Sequence, residues 1–363
     1  MNRSGDVALR AWLRIKLSSV TLNSSLISTY PTAQRYYLRW TRNFMHNIIR
    51  EISIQFTGLP AQVFDNVFLD MWAAFTVPEG KRNGYSINMI GNDPDLINPS
   101  VTLPEAILNL PLPFFFTRDT GLGLPTAALP YNDIVIKTFF RDYTELLIVD
   151  DMRTTAAAEP GVGVSRAATL ADLAAAPTLE DCQIWTEYAL VSNAERKLMG
   201  KRPRDMFIYQ TQRMPVQSVN ANLPSTRADL RFSNSVSALF FGIRNTTNAA
   251  EWSNYTCASP VPSVTSTNVS LNETPLLATD PVSSVKLLYD NQERLSNMPA
   301  DYFTLIQPFY TAVSIPQLTG YHLYSYSLDL VSTDPKGSTN YGKLSAVQLL
   351  LNQSDDLLTS GGA

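Results

Sequence analysis

The sequence predicts an all-β chain of two antiparallel sandwiches, and three observations lead there. Runs in which apolar and polar side chains alternate recur along the chain. They are rich in Tyr, Phe, Ile, Val and Thr, which suit a pleated, half-buried surface. Stretches rich in Pro, Gly and Asn separate them, and only two stretches carry a helical period. Many short strands with turn signals between them argue for sandwiches.

The first strand is the clearest. Leu9, Ala11, Leu13, Ile15 and Leu17 alternate with Arg10, Trp12, Arg14 and Lys16, which puts one set on each face. A strand formed so soon after Met1 raises the expectation of further residues upstream. Next, Ile52, Ile54 and Phe56 alternate with Ser53 and Gln55, and Ile134, Ile136, Thr138 and Phe140 alternate with Val135, Lys137 and Phe139. In the second half, strands are predicted at Asp205–Thr211, Leu230–Arg244, Val285–Tyr289 and Tyr321–Leu330.

Two short helices interrupt this pattern. Phe64, Val67, Phe68, Met71, Trp72 and Phe75 recur at three and four, one face of an amphipathic helix; Pro60 is placed for its start and Pro78 lies past its end. Ser192 and Glu195 have the spacing of a capping box for a helix over Ser192–Met199, with Gly200 as its C-terminal cap. Three long loops follow from composition, at 78–104, 151–177 and 245–281, and such loops are functional or disordered more often than not. Each half reads as strands, a long insertion, then more strands. The domain boundary is placed after Gly200 and Pro203, giving domains 1–203 and 204–363.

At 363 residues the chain has room for two domains of roughly 100–200 residues each. Apolar residues make up 45% and charged residues 17%, enough for a large core and low enough in charge to suit burial against other copies. A formal net charge of −4 and scattered Lys and Arg give no basic stripe, so no direct nucleic-acid binding is expected. Cys182 and Cys257 fall in different domains and read as free, buried thiols of a reducing compartment. No run of ~18 apolar residues exists to span a bilayer, and no signal-peptide core is seen. Sequons at Asn23, Asn245, Asn254, Asn268, Asn272 and Asn352 are what an Asn-, Ser- and Thr-rich chain yields by chance.

Catalytic chemistry is hard to assemble from these residues. The only histidines are His46 and His322, and the cysteines lie at no ligand spacing to them, so no common zinc set forms. His46 sits in an apolar stretch and His322 among aromatic residues, so both read as packed, hydrogen-bonded side chains. The acidic pairs Asp150-Asp151, Glu180-Asp181 and Asp355-Asp356 place neighbours on opposite faces of a strand and read as solvated charges. Gly161-Val162-Gly163 and Gly121-Leu122-Gly123 lack the context of a nucleotide loop. No catalytic, metal or cofactor residue is predicted, and no enzyme activity.

The most specific stretch is 110–131, Leu-Pro-Leu-Pro-Phe-Phe-Phe-Thr-Arg-Asp-Thr-Gly-Leu-Gly-Leu-Pro-Thr-Ala-Ala-Leu-Pro-Tyr. Its prolines forbid a helix and confine it to strand ends and corners. Phe114–Phe116 reads as a buried run, and Arg118 and Asp119 as a pair with each other or with a neighbouring subunit. As a whole string it closely resembles the signature of the major capsid proteins of large icosahedral double-stranded DNA viruses, closest to the iridovirus group. Similar blocks stand at Arg39–Asn47, Tyr85–Asn92, Ala228–Ser233, Ser253–Thr256, Ser325–Leu328 and Gly337–Gly342, in family order over nearly the whole chain.

That resemblance implies a double jelly roll with short helices in its connections. It also implies a homotrimer of pseudo-sixfold outline that tiles an icosahedral virion shell with neighbouring capsomers and minor capsid proteins. The shell would be assembled in the host cytoplasm over an internal membrane, with no cofactor. Family members begin upstream of Met1 and finish in an apolar strand. The first jelly roll is therefore expected to lack opening strands and the second its last, and the isolated polypeptide to trimerise poorly. Phe114–Asp119 is expected to be architectural, the 245–281 loop exposed, and Tyr36, Tyr37, Trp252 and Tyr255 surface aromatics. A second reading is a carbohydrate-binding or carbohydrate-active jelly roll, with Trp252 and Tyr255 stacking on sugar and two carboxylates ~5–9 Å apart across a cleft.

Overall fold

Alternation decides which face of each strand is buried. In the computed structural model, β1 (Val7–Leu17) buries Ala11, Leu13, Ile15 and Leu17, while Arg10, Trp12, Arg14 and Lys16 face outward. The structure describes residues 4–28, 36–129, 131–152, 164–201, 205–220, 222–258, 262–265, 268–271 and 279–359. Asn272, Pro203 and the Gly161-Val162-Gly163 run therefore lie outside the described residues.

The first half continues with β2 (Tyr36–Trp40), β3 (Ile49–Phe56), β4 (Leu59–Phe64), α1 (Asn66–Thr76), β5 (Ala106–Pro111), β6 (Ile134–Phe140), β7 (Leu147–Asp151), β8 (Val164–Ala167) and β9 (Leu179–Ala189). They form three antiparallel sheets, ordered β9-β1-β5, β8-β7-β2 and β4-β3-β6. Leu13 sits opposite both Leu110 and Ile184, and Trp12 opposite Pro111 and Trp185. Inward side chains of β1, β3, β5 and β7 meet in one core with Phe64, Phe114 and Phe116.

After α2 (Asn193–Lys201), the second half holds β10 (Ser225–Leu230), β11 (Ala238–Phe241), β12 (Val282–Tyr289) and β13 (Gln292–Pro299). A π-helical turn, Tyr302–Ile306, then runs straight into α3 (Gln307–Thr311), followed by β14 (His322–Ser325) and β15 (Val347–Gln353). One sheet is ordered β10-β15-β12-β13, and β11 pairs with β14. Val285, Leu287, Phe303 and Leu349 centre its core.

The two halves share one run of elements. A strand (β1 or β11) is followed by a hairpin (β3–β4 or β12–β13), then a helix, then a strand that pairs back on the first (β5 or β14). A last strand (β6 or β15) pairs with the first arm of the hairpin. Even the hairpin turns agree. Thr57-Gly58 have φ of 50° and 83°, and Asp290-Asn291 have 49° and 66°. Two central residues at positive φ make the turn whose twist suits a tight hairpin.

Several expectations change. The first helix begins at its cap, Asp65, whose carboxylate accepts the Phe68 N–H at 3.0 Å; Pro60 instead lies in β4 opposite Gln55, next to a register shift. The capping box of α2 is present, with Ser192 N–H donating to Glu195 at 3.1 Å and Glu195 N–H to Ser192 Oγ at 3.3 Å. Gly200, however, lies within the helix. Asp205–Thr211 joins no ladder. It packs Met206 and Ile208 on the first core, while Gln210 donates to the Ala61 carbonyl at 3.1 Å. The predicted strand 230–244 is broken at Asn234, whose φ is 63°. The predicted strand 321–330 stops at Ser325 because Ser325 and Ser327 hydroxyls bond the carbonyls two residues on, an alternative to the ladder. The 78–104 segment carries helical turns at Glu79–Gly84, Tyr85–Met89 and Pro94–Ile97. Both cysteines are free, but Cys182 is exposed on the outermost strand β9, and Cys257 is half-buried. They are not the pair of buried thiols the sequence suggested.

Candidate functional site, the seam between the halves

The polar side chains worth most attention converge where the two halves meet. α1 supplies the first half's contribution. Its outer face carries Phe68, Met71 and Phe75 against the second half, where Phe240 meets Phe75 at 5.8 Å and Phe68 at 6.4 Å between ring centres. Met71 and Phe75 share a buried cluster with Tyr255, Tyr321 and Leu323.

Asp70 lies on the same helix and is 2% exposed. Its carboxylate accepts from Asn43 Nδ2 at 3.0 Å, Ser253 Oγ at 2.6 Å and Tyr255 OH at 3.3 Å, and His46 Nδ1 lies 2.6 Å away. Ser253 and Tyr255 come from the second half. The other ring nitrogen of His46 is 2.7 Å from Tyr85 OH. Burial pushes the Tyr85 phenol far up, so it keeps its proton. His46 is thus packed and hydrogen-bonded, as the sequence suggested. His322 is too, 3.0 Å from Asp280 and stacked on Phe241.

A second contact crosses the seam at Arg39, which is fully buried on β2. Its Nε bonds Asp150 at 3.0 Å and its second nitrogen bonds Glu251, from the other half, at 2.8 Å. Ser165 Oγ also donates to Asp150 at 2.6 Å. Burial works against the guanidinium charge, but the two carboxylates outweigh it and raise its pKa. Charges taken this far from water persist only when paired. Asp150 is therefore a buried strand residue, not the solvated charge expected of it.

Trp252 closes the set. Its indole N–H donates to the Glu145 carbonyl at 2.8 Å and its backbone N–H to Thr41 Oγ1 at 3.3 Å. The ring lies between Arg141 and Arg244, whose guanidinium carbons are 3.9 and 4.3 Å from its centre. Burial lowers both arginines, Arg141 to about 10.

These contacts overturn the exposed-loop expectation for the described start of 245–281. Residues 250–256 form a buried strap inserted between the halves, and Tyr36, Tyr37 and Tyr255 are buried as well. Gly320, at φ 88°, lets the strap pass, since a Cβ there would lie 1.9 Å from the Tyr255 carbonyl oxygen. Asn245 and Asn254 are 5% and 8% exposed, which leaves no room for a glycan in the folded chain. Tyr255 is not presented to any sugar, Trp252 is held between two cations, and the carboxylates of Asp150 and Glu251 are tied to Arg39. Among the described residues, no three His, Cys, Asp or Glu side chains gather to hold a metal.

The 114–119 corner packs into the core of the first half. Phe114 and Phe116 stack at 5.8 Å, Phe114 packs on Phe64 at 5.1 Å, and the Phe115 N–H donates to the Gln62 side chain at 2.9 Å. Arg118 does not pair with Asp119. It lies 4.3 Å over Trp72 and 5.1 Å over Tyr209, and burial brings its pKa down to about 10.

Two family descriptions match the chain. Residues 1–191 match "Major capsid protein N-terminus" and residues 195–362 "Large eukaryotic DNA virus major capsid protein". The major capsid protein of Tipula iridescent virus is 47% identical over 372 residues, covering 100% of this chain and 76% of that protein. This chain belongs to the major capsid proteins of large eukaryotic DNA viruses. Within that family it is similar to further iridovirus members. The Wiseana iridescent virus protein is 48% identical, covering 96% of this chain and 71% of its own length, and that of Lymphocystis disease virus 1 is 43% identical, covering 100% and 76%. Solved structures speak to the fold. A quasi-atomic model of the PBCV-1 virus capsid superposes with a TM-score of 0.70 at 18% identity, over 98% of this chain and 79% of that one. The Faustovirus major capsid protein gives 0.69 at 12%, over 98% and 83%. The fold is the double jelly roll the sequence predicted, and the role of a major capsid protein is structural, as a component of the virion shell.

Proposed function

We propose that this capsid protein acts as the repeating tile of an icosahedral shell, three copies closing into a pseudo-hexameric capsomer and capsomers tiling the faces. The carrying observation is the duplicated architecture held by a buried seam. Two similar halves, divided near 203/204, are locked at one angle by Asp70, Arg39 and Trp252. One chain then presents two similar wedges, and three chains present six. A closed ring of identical subunits needs two different surfaces per copy, each facing its complement on the next. Minor capsid proteins sit against the capsomers and an internal membrane lies beneath the shell, with assembly in the host cytoplasm. No contact with DNA is required of a chain of net charge −4.

Native mass spectrometry and negative-stain microscopy of capsomers released from virions that carry this chain test the reading. Three copies with a six-lobed outline are expected. A capsomer of two or four copies overturns it.

A further inference from the structure

The duplication identifies a surface. In the first half, the helix that follows the hairpin is covered by the second half of the same chain. In the second half, the corresponding helix is bare. Phe303, Thr304 and Pro308 face inward, with Phe303 against Phe241 at 5.4 Å. The opposite face shows solvent Leu305, Ile306, Phe309, Tyr310 and Val313, at 46, 49, 67, 76 and 50% exposure. Over 300–313 the only ionisable groups are Asp301 and the phenols of Tyr302 and Tyr310. A contiguous apolar face of this kind on a soluble surface marks an interaction site.

The repeat also says what should cover it. α1 docks on the outward face of the β11–β14 pair, where Phe240 and Leu323 are cross-strand partners. The counterpart of β11–β14 is β1–β5, and β9 extends it. The outward row there is apolar at its centre: Trp12 stacks on Trp185 at 6.3 Å, opposite Pro111, and Ile107 is 49% exposed. Ion pairs Arg10–Glu187, Arg14–Asp181 and Lys16–Glu180 surround it. An apolar centre within a polar rim is the anatomy of a protein interface.

We propose that the exposed face of 305–313 docks on the Trp12–Trp185 face of the first half of a neighbouring copy, repeating between chains the contact that α1 makes within one. This rests on the trimer reading and names the surface that closes the ring. Helix and acceptor sheet are on different halves, so each copy both gives and receives, and three such contacts close a ring.

The test uses capsomers assembled in virus-producing cells, in which this chain carries a photo-crosslinking phenylalanine at position 309. Mass spectrometry of the products should map crosslinks to residues 7–17, 106–111 or 179–189 of a second copy. Trimers that crosslink elsewhere, or only within one copy, overturn this inference and leave the trimer standing; absence of trimers overturns both. In parallel, Phe309→Glu with Tyr310→Glu, and separately Trp185→Glu, should reduce the trimer population at least tenfold at equal concentration. The unfolding midpoint of the separated chain should not move. Leu59→Glu, at an exposed hairpin turn away from both surfaces, should leave trimers unchanged. Undiminished trimers in the Phe309/Tyr310 or Trp185 variants count against the proposal.

Discussion

Two helices in this chain follow two hairpins of the same design, and their fates differ. α1 buries Phe75 completely, while the 302–311 helix leaves Phe309 67% exposed. Local grammar does not explain this, since both helices are short, apolar on more than one side and preceded by a tight two-residue turn. Neighbourhood does. The second half packs over α1, whereas among the described residues nothing covers the outer face of the other helix. An apolar face left uncovered by its own chain becomes available to another.

The comparison can be broken most forcefully at its two phenylalanines. Phe75→Ala removes a ring from a fully buried cluster and should cost about 3–5 kcal/mol of stability. Phe309→Ala should stay within about 0.5 kcal/mol in the separated chain. Urea unfolding of the two variants gives both numbers, and equal losses would mean that the helices are not differently placed. A middle-sized effect is expected at the strap. Ser253→Ala removes a hydroxyl that donates to Asp70 at 2.6 Å and accepts from Asn47 Nδ2 at 2.6 Å. Hydrogen bonds to charged groups are worth about 1.5–3 kcal/mol, and a loss of that size should appear in the same titration. An unchanged midpoint would show that the seam does not depend on the Asp70 hub. The smallest effect sharpens the hairpin equivalence. Thr57 is β-branched at φ 50°, a poor match, and Thr57→Asn should gain roughly 0.5–1 kcal/mol. The other turn already has Asp and Asn, so Asp290→Asn should change little. A destabilised Thr57→Asn would show that the two turns are not built alike.

Much of this was legible beforehand, for identifiable reasons. β1 was readable because one face is core and the other solvent, so alternation and burial coincide. The box at Ser192 and Glu195 was readable because capping is a three-residue affair. The phenylalanine corner stood out because prolines on both sides leave it few conformations. The strap at 250–256 was not readable. Its Asn, Ser, Thr and Trp look like a surface loop, and nothing local says that Arg39, Asp70 and Glu145 wait to receive them. Asp205–Thr211 looked like a strand because of its Phe, Ile, Tyr and Thr, yet such composition marks a half-buried stretch and not a hydrogen-bonded partner. A buried Asp150 was missed for a related reason: a charge reads as solvated until its Arg39 is known to lie across the ladder.

By itself, then, the order of amino acids determined the β class, the principal strands, the packed roles of His46 and His322, and membership of a capsid family through motifs spread along the chain. Only tertiary structure decided that Glu251, Ser253 and Tyr255 pin one half to the other, and that of two equivalent helices one is covered and one bare. Alternation and caps are short-range properties that a segment carries with it. Burial of a charge, or cover for a helix, depends on groups some two hundred residues away, and only folding brings them within 3 Å.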